Sequence, residues 1–197
     1  MPATPRPAAS VILLRRGGKH AQRALEVLLV KRSSTASFMP GVWVFPGGVV
    51  DPGDGEGEDG FRAAAVRELA EEASIELEGP ESLVPFSRWI TPEAVPIRFD
   101  AWFYLALAPA HSPPKHDGQE TEDTGWYEPR AALDAHYEGG LSLVFPTIKH
   151  LEALLPYSTS AEAIEAARDR EIEPILPRVI GEGDGRRVVL PGEPGYD

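Results

Sequence analysis

Short apolar runs, rich in β-branched residues and bounded by Gly, Pro and polar residues, recur along the first two thirds of the chain. Such runs are typical of β-strands. The first two, at 10–15 and 25–32, are separated by a polar stretch that contains Gly17 and Gly18, so we expect two strands joined by a turn. Further strands are predicted at 83–90, 97–108 and 124–129.

A different period, with apolar residues three or four positions apart, marks the segment 61–74 and predicts an α-helix. Asp59 is the expected N-cap residue, because a side-chain oxygen there can accept a free N–H group of the first turn. Shorter helices are predicted at 129–136, 146–155 and 160–170. The tail from residue 173 onward shows neither period.

Between these patterns, the run at 42–50 predicts a short strand that is interrupted by Pro46, Gly47 and Gly48. Glycine has no Cβ atom, so the backbone at this break can approach a ligand closely. A loop of Gly, Asp and Glu follows at 51–60 and leads into the helix. The break is therefore a candidate site.

Three glutamates of the predicted helix share one face. The spacings between Glu68, Glu71 and Glu72 place them within a wedge of about 100°. The neighbouring side of the helix is apolar and is expected to face the core. The residues on that side are Val66, Leu69, Ala70 and Ala73.

A solvated surface would also explain an acidic helix face, but like charges at these spacings repel by roughly a few tenths of a kcal/mol per pair. Only Arg67 lies close enough in the helix to offset them. Mg²⁺ would convert the repulsion into coordination, would stabilise charge on a phosphate, and would acidify a bound water. Mg²⁺ is therefore the expected cofactor, with Mn²⁺ as a substitute, and Arg67 is expected to orient a glutamate or hold a phosphate.

The composition narrows the class of partner. Acidic residues outnumber basic ones 31 to 19, which is the wrong sign of charge for binding nucleic acid or anionic lipid, so a small-molecule substrate is expected. The absence of cysteine excludes disulfides and thiolate metal sites. No apolar run approaches the roughly 18 residues that span a bilayer, so we expect a soluble, cytoplasmic protein. The length of 197 residues predicts one domain over 1–197.

The motif PGG at 46–48, followed by RELAEE at 67–72, resembles the signature of the Nudix hydrolase family. The resembling segment begins at Gly48, and Asp54 occupies the place of a glutamate. The loop that follows is five residues longer than the family pattern, an insertion that costs little because loop-closure entropy grows slowly with length. At the end of the helix Ser74 replaces a glycine, so a left-handed backbone is expected there.

An alternative register begins the signature at Gly53 and puts Asp59 in the place of the glutamate. It restores the spacing but abandons the double glycine, so the insertion in the acidic loop is preferred.

The resemblance implies an α/β fold, a Nudix-type α/β/α sandwich with a mixed β-sheet and a loop-helix-loop catalytic motif, plus extra C-terminal helices and a tail. It covers about 8–155. The C-terminal helical extension and tail, at about 156–197, would belong to the same domain.

The resemblance also implies roles for individual residues. The implied metal ligands are Gly47, Glu68, Glu71 and Glu72. Arg67 completes the catalytic set, and the general base would be Glu68 or a glutamate from a later loop. Glu120 is the candidate for that later glutamate, and Glu122 is its rival.

The segment 28–48 is similar to the motif of Nudix coenzyme A diphosphatases, and FMPG, WITP and RFDAWFYLA are similar to the peroxisomal-type acyl-CoA branch. Residues Arg32, Ser33, Gly41 and Phe45 fit the first motif, whereas Ser37 stands where it has a second arginine. The resemblance thus implies CoA or acyl-CoA as substrate, cleaved to adenosine 3′,5′-bisphosphate and a 4′-phosphopantetheine species.

A substrate with several phosphates needs fixed cations. The predicted substrate-binding residues are Arg32, Arg88, Arg98 and Gly48, with Lys31 as a further cation. Two other functions stay open: hydrolysis of ADP-ribose, NADH or a dinucleotide, and nucleotide binding without cleavage. The apolar tail at 187–196 offers a surface for a partner subunit, so a homodimer is one expectation.

Aromatic residues of the strands are expected in the core rather than stacked on a base. The histidines show no metal-ligand spacing and are expected at the surface or in loops. They are His20, His111, His116, His136 and His150.

Overall fold

A computed structural model describes residues 2–16, 25–36, 38–181 and 183–196. The predicted turn at Gly17 and Gly18, His20 and the unusual Ser37 lie outside the described residues. The strands are β1 (Arg6–Arg16), β2 (Leu25–Arg32), β3 (Trp43–Val44), β4 (Gly47–Val49), β5 (Val84–Ile90), β6 (Phe99–Leu107), β7 (Thr121–Tyr127), β8 (Pro174–Ile175), β9 (Arg178–Ile180) and β10 (Arg187–Val189). The α-helices are α1 (Gly57–Ala73), α2 (Pro129–Tyr137), α3 (Phe145–Leu154) and α4 (Ser160–Arg168).

The main sheet is mixed, with the order β3-β2-β1-β6-β5-β8. Strand β1 runs parallel to β6 and antiparallel to β2. Strands β1 and β2 pair only near Leu14 and Val27 and then diverge, and the segment 43–49 fills the gap because β3 pairs with β2 and β4 pairs with β1. The Pro-Gly-Gly break therefore lies inside the fork between the two strands.

Successive side chains of β1 point to opposite faces of the sheet and so pack in two separate layers of the core. Val11 and Leu13 pack in the cluster that contains the apolar residues of α1. Ile12 and Leu14 pack on the other face, in the cluster built by α2, α3 and α4. The expected α/β/α sandwich with a mixed sheet is confirmed.

Helix α1 begins earlier than the sequence predicts. Its N-cap is Glu56. The prediction of Asp59 as the cap is wrong, because Asp59 lies within the first turn. Its negative charge there interacts favourably with the helix dipole. At the other end, Ser74 has φ 54° and ψ 35° and donates its backbone N–H to the Ala70 carbonyl. The expected left-handed position is confirmed.

The core face of α1 is rotated from the predicted one. Leu69 and Ala73 are buried as expected, but the half-buried Val66 and Ala70 are not in the centre of that face. The fully buried pair Ala64 and Ala65 takes their place. This rotation brings two of the glutamates inward as well.

The tail contains structure that the sequence pattern did not predict. Strand β8 pairs in parallel with β5 at the edge of the main sheet, and β9 pairs with β10. Val189 is buried against the rest of the chain, and the Tyr196 hydroxyl donates to the Leu176 carbonyl at 2.7 Å. The tail therefore packs on its own chain, and the homodimer stays a prediction.

His150 corrects the expectation that the histidines lie at the surface or in loops. It lies on α3, is 2% exposed, and its Nδ1 lies 2.6 Å from the Pro146 carbonyl oxygen. Because a carbonyl can only accept, Nδ1 carries the proton, and Nε2 accepts from the Ser87 hydroxyl at 2.6 Å. Burial lowers the pKa of His150 to about 4.

Of the strand aromatics, Trp43, Trp89, Phe103 and Tyr104 are buried as expected, whereas Phe99 and Trp102 are half-buried. Within the described ranges, no helix combines the length and apolar character that crossing a membrane requires.

Candidate active site

Gly47 and Gly48 pack so closely against neighbouring residues that neither position has room for a side chain. A Cβ atom on Gly48 would lie 2.2 Å from Oε1 of Glu68, and one on Gly47 would lie 2.2 Å from Oγ of Ser10. The backbone of β4 therefore packs directly on the acidic face of α1. This contact supports the preferred register, in which the signature begins at Gly48.

Glu72 is the most deeply placed of the three glutamates, with 3% of its surface exposed. Its Oε2 accepts a hydrogen bond from the Gly47 backbone N–H at 2.9 Å. The pKa of Glu72 is raised to about 8, mainly by burial and also by the nearby charges of Glu68 and Glu120, while the Gly47 bond and Arg32 oppose the rise. The carboxylate is thus poorly compensated when it is ionised.

Glu68 is also buried, and Glu71 is exposed. Burial raises the pKa of Glu68, Arg67 opposes this, and the charges of Glu71 and Glu120 add to it. Nη1 of Arg67 donates to Glu68 at 2.8 Å and to Glu71 at 3.0 Å. Arg67 therefore orients these two glutamates, one of the two roles that the sequence suggested for it.

Arg67 also ties the acidic loop to the helix. Its Nε and Nη2 donate to the two carboxylate oxygens of Asp54 at 3.0 and 2.9 Å, and Nη2 also donates to the Val49 carbonyl at 3.0 Å. The hydrogen bond from Arg67 lowers the pKa of Asp54. Asp54, and not Asp59, is therefore the acid that the loop brings to Arg67.

Of the two later glutamates, Glu120 lies at the site. It lines the same cavity as Glu68 and Glu72, and its charge acts on both. The rival Glu122 is engaged elsewhere: Lys31 lies 2.7 Å from it, the Ser34 N–H donates to it at 3.0 Å, and Lys31 holds its pKa low, at about 2.

The loop before β7 is fixed to α1 by residues that the sequence analysis did not single out. Asp117 accepts the backbone N–H groups of Gln119, Glu120 and Thr121 at 2.8 to 3.2 Å. The Thr121 hydroxyl donates to the Glu72 carbonyl at 2.9 Å. The position of Glu120 is thus set by a turn around Asp117 that is anchored on the helix. An Asp followed by Gly118 is a local turn signal that could have indicated it.

The carboxylates fit the oxygen-ligand chemistry of Mg²⁺. The charges of Glu71 and Glu120 raise the pKa of Glu68, and those of Glu68 and Glu120 raise the pKa of Glu72. A divalent cation would relieve this repulsion. Among the described residues, however, no three acidic or histidine side chains converge as a ready-made metal site. Arg67 holds Glu68 and Glu71 and the Gly47 N–H holds Glu72, so these side chains must turn to share a cation.

A cavity of ≈ 730 Å³ opens beside the acidic face. One row of directly paired residues crosses its floor, from β4 through β1 and β6 to β5: Val49, Ala8, Ala101 and Trp89. The carboxylates stand at the β4 end. The β5 end is apolar, with Phe99, Phe103 and Phe145 among the residues around it.

The predicted substrate-binding residues divide into two groups. Gly48 and Arg32 line the cavity, and Nε of Arg32 donates to the Phe38 carbonyl at 3.2 Å. Arg88 and Arg98 are not among the lining residues, so the structure corrects their assignment to this cavity.

The reason for the first correction is strand alternation, because Arg88 lies on the opposite face of β5 from Trp89. There it pairs with Asp100 at 2.8 and 2.6 Å and lies over the ring of Trp102. Arg98 is buried and donates to the backbone carbonyls of Thr91 and Ala3 at 3.0 and 2.7 Å. Both arginines hold strands and the N-terminal segment together.

Two parts of the cavity were not predicted from the sequence. Arg6 lines it from the start of β1, and Val179 and Val188 line it from the tail. Arg6 lies in a proline-rich stretch without periodicity, and the two valines lie in short segments of the unassigned tail. We find no local signal that would have placed them.

Comparisons with known proteins agree with this geometry. The NUDIX domain family model matches residues 4–145. Putative nudix hydrolase 7 of Caenorhabditis elegans is 32% identical over 183 residues, covering 76% of this chain and 60% of that protein. The chain thus spans 60% of the length of that relative.

A second relative, m7GpppN-mRNA hydrolase NUDT17 of Bos taurus, is 45% identical over 64 residues, 32% of this chain and 20% of that protein. The crystal structure of a NUDIX hydrolase from Alicyclobacillus acidocaldarius has a TM-score of 0.73 and 27% identity, covering 82% of this chain and 96% of that one. The matched domain and the relatives show, in agreement with the glycine-glutamate contact at the fork of the sheet, that the chain belongs to the Nudix hydrolase family.

Proposed function

We propose that the protein is a Mg²⁺-dependent diphosphatase that cleaves CoA or acyl-CoA to adenosine 3′,5′-bisphosphate and a 4′-phosphopantetheine species. The observation that carries the proposal is the packing of Gly47 and Gly48 on two buried glutamates at one end of a cavity. A polar end suits a diphosphate and its cation, and the apolar remainder suits the rest of an extended substrate.

Glu68, Glu71 and Glu72, with the Gly47 carbonyl, would hold Mg²⁺ or Mn²⁺, which supplies charge neutralisation and an acidified water when it is bound. Arg67 positions the glutamates through its bonds to Asp54, Glu68 and Glu71. We assign the general base to Glu120 rather than Glu68, because both line the cavity but Glu68 is held by Arg67. Its carboxylate would take the proton of the attacking water.

We also propose that residues 1–197 act as one domain, since β8, which follows the matched family region, adds a strand to the same sheet as β1 and β5. We propose a small molecule as the substrate. A net charge of -12 disfavours nucleic acid as a partner. The cysteine-free composition fits the cytoplasm, which we propose as the compartment of the protein.

The test is hydrolysis of CoA, acyl-CoA, ADP-ribose and NADH with and without Mg²⁺, followed by separation of the nucleotide products. We expect turnover of the CoA species that EDTA abolishes and that Glu72→Gln lowers at least about 100-fold, in the range seen when charge stabilisation is removed. Glu76→Gln is the matched control, because Glu76 is exposed just beyond α1.

Each other result would change the account. Turnover of ADP-ribose or NADH alone would move the substrate to that class. No turnover of any of the four would favour a module that binds a nucleotide without cutting it. Full activity of Glu72→Gln would contradict the site.

A further inference from the structure

The tail forms one wall of the cavity. Strands β9 and β10 are antiparallel, and Val179 lies directly opposite Val188. Directly opposed residues project from the same face of a strand pair, and both valines line the cavity. This pair lies beyond residue 145, where the match to the NUDIX domain ends. The wall therefore lies outside the matched domain.

The valine wall follows β8, which lies beyond β5 in the sheet order and away from β4 and the glutamates. The floor row from Val49 to Trp89 crosses three strand spacings, or about 14 Å. Strand β8 continues the order beyond β5, because Ile175 pairs with Trp89. The tail segment that carries Val179 follows β8 directly. A ligand that touches both the glutamates and the valines must therefore be long.

The far end of the cavity is lined mainly by apolar side chains, although Arg6, which pairs with Phe99, also lines the cavity. Trp89 of β5 lies with its ring centroid 6.2 Å from that of Phe145 of α3, in an edge-to-face arrangement. Phe99 and Phe103 add further aromatic surface from β6. A phosphate or ribose placed against these aromatic rings would lose hydration without compensation. An alkyl chain would gain free energy with each methylene that leaves water.

We infer that the β9–β10 valine pair and the aromatic residues of the β5 end form a subsite for the acyl chain of the substrate. The inference rests on the proposed function, because it takes the diphosphate to lie at the glutamates. An extended pantetheine arm spans a distance comparable to the floor row, so the thioester and its chain reach the apolar end. The protein therefore prefers a medium-chain acyl-CoA to free CoA.

The test compares kcat/KM for CoA, acetyl-CoA and octanoyl-CoA in the full chain with Mg²⁺. Each buried methylene favours binding by up to about fourfold, so kcat/KM should rise at least about tenfold from CoA to octanoyl-CoA. The double variant Val179→Thr/Val188→Thr keeps the β-branched shape and adds hydroxyl groups to the wall. We expect it to reduce the ratio of octanoyl-CoA to CoA turnover to near one.

The matched control is Ile180→Thr, which adds the same hydroxyl group on the opposite face of β9, outside the cavity lining. It should keep the wild-type ratio. Thermal unfolding of all three proteins confirms that they are folded, and the ratio of the two substrates in one protein cancels any loss of active enzyme.

The outcomes separate this inference from the proposed function. Turnover of CoA with no increase for octanoyl-CoA overturns the subsite and leaves the diphosphatase intact. The subsite is also overturned if the ratio of octanoyl-CoA to CoA turnover is unchanged in the valine variant. If the variant loses activity equally on CoA and octanoyl-CoA, the result also overturns the subsite and points to a nucleotide base at this end.

If no CoA species is turned over, the proposed function fails, and calorimetric binding of CoA and octanoyl-CoA decides the subsite. Tighter binding of octanoyl-CoA that the valine variant loses supports it, and equal binding or none overturns it.

Discussion

Both the packing of α1 and the geometry of the candidate site depend on the lack of a Cβ atom at Gly48. The glycine lies so close to the Glu68 carboxylate that a Cβ atom would overlap it, at 2.2 Å. Glu68 is in turn bonded to Arg67, which also holds Asp54 and Glu71. A change at this glycine therefore displaces a charged group that has bonds to the loop and to the rest of the helix.

Gly48→Ala is expected to lower the free energy of unfolding by about 1–3 kcal/mol, as for overpacked sites, and to lower activity more than stability accounts for. Gly53→Ala is the control, since nothing lies within 4 Å of its added atom. Chemical denaturation and a diphosphatase assay measure the two effects. Equal behaviour of the two variants would show that the contact with Glu68 has no importance.

Glu72→Gln should make the metal-free protein more stable at pH 8. Burial raises the folded pKa of Glu72 from 4.5 to about 8, so between these pH values the unfolded state has released a proton that the folded state still holds. Stability then falls from pH 4.5 to 8, by up to about 4 kcal/mol for the wild type. The glutamine variant lacks this loss. Denaturation in EDTA at pH 5 and pH 8 should show the difference between the two proteins growing with pH, and a constant difference would contradict the shift.

Among the elements, those with a clear period could be predicted from the sequence. The helix period placed Glu68, Glu71 and Glu72 on one side of α1, and strand β2 has its predicted bounds, Leu25–Arg32. The period could also have placed His150 in the core, because it shares the buried stripe of α3 with Thr147 and Leu151.

Other features could not be predicted because they depend on pairing between distant segments. Arg6 reaches the cavity through the parallel pairing of β1 with β6, and Val179 through the pairing of the tail. Arg88 was assigned to the site from its charge, whereas the register of β5 turns it to the other face. Charge identifies a candidate, but only the register decides where it points.

His150 on helix α3 should make the stability of the protein depend on pH. The folded pKa of His150 is lowered from 6.5 to about 4, so the unfolded state binds more protons between these values. Stability therefore falls as pH decreases from 6.5 to 4, by about 3 kcal/mol from this group. Denaturation at several pH values should show that His150→Gln lacks this part of the slope. The same slope in both proteins would mean that His150 titrates normally in the fold.

For the whole molecule, the cavity combines parts that lie far apart in the chain. Arg6 comes from the first strand, Glu72 and Glu120 from the middle, and Val188 from the tail. An overall charge of -12 agrees with a site that attracts a cation before it handles a phosphate. The central claim is that the acidic face of α1 binds that cation.

Titration with Mn²⁺, followed by the electron paramagnetic resonance signal of the free ion, measures this binding without any assumption about the substrate. Wild type and Glu76→Gln should remove Mn²⁺ from solution equally, and Mg²⁺ should compete with it. Glu72→Gln should bind at least about tenfold more weakly, a difference of about 1.4 kcal/mol. Binding of Mn²⁺ by Glu72→Gln with the affinity of the wild type would contradict the account.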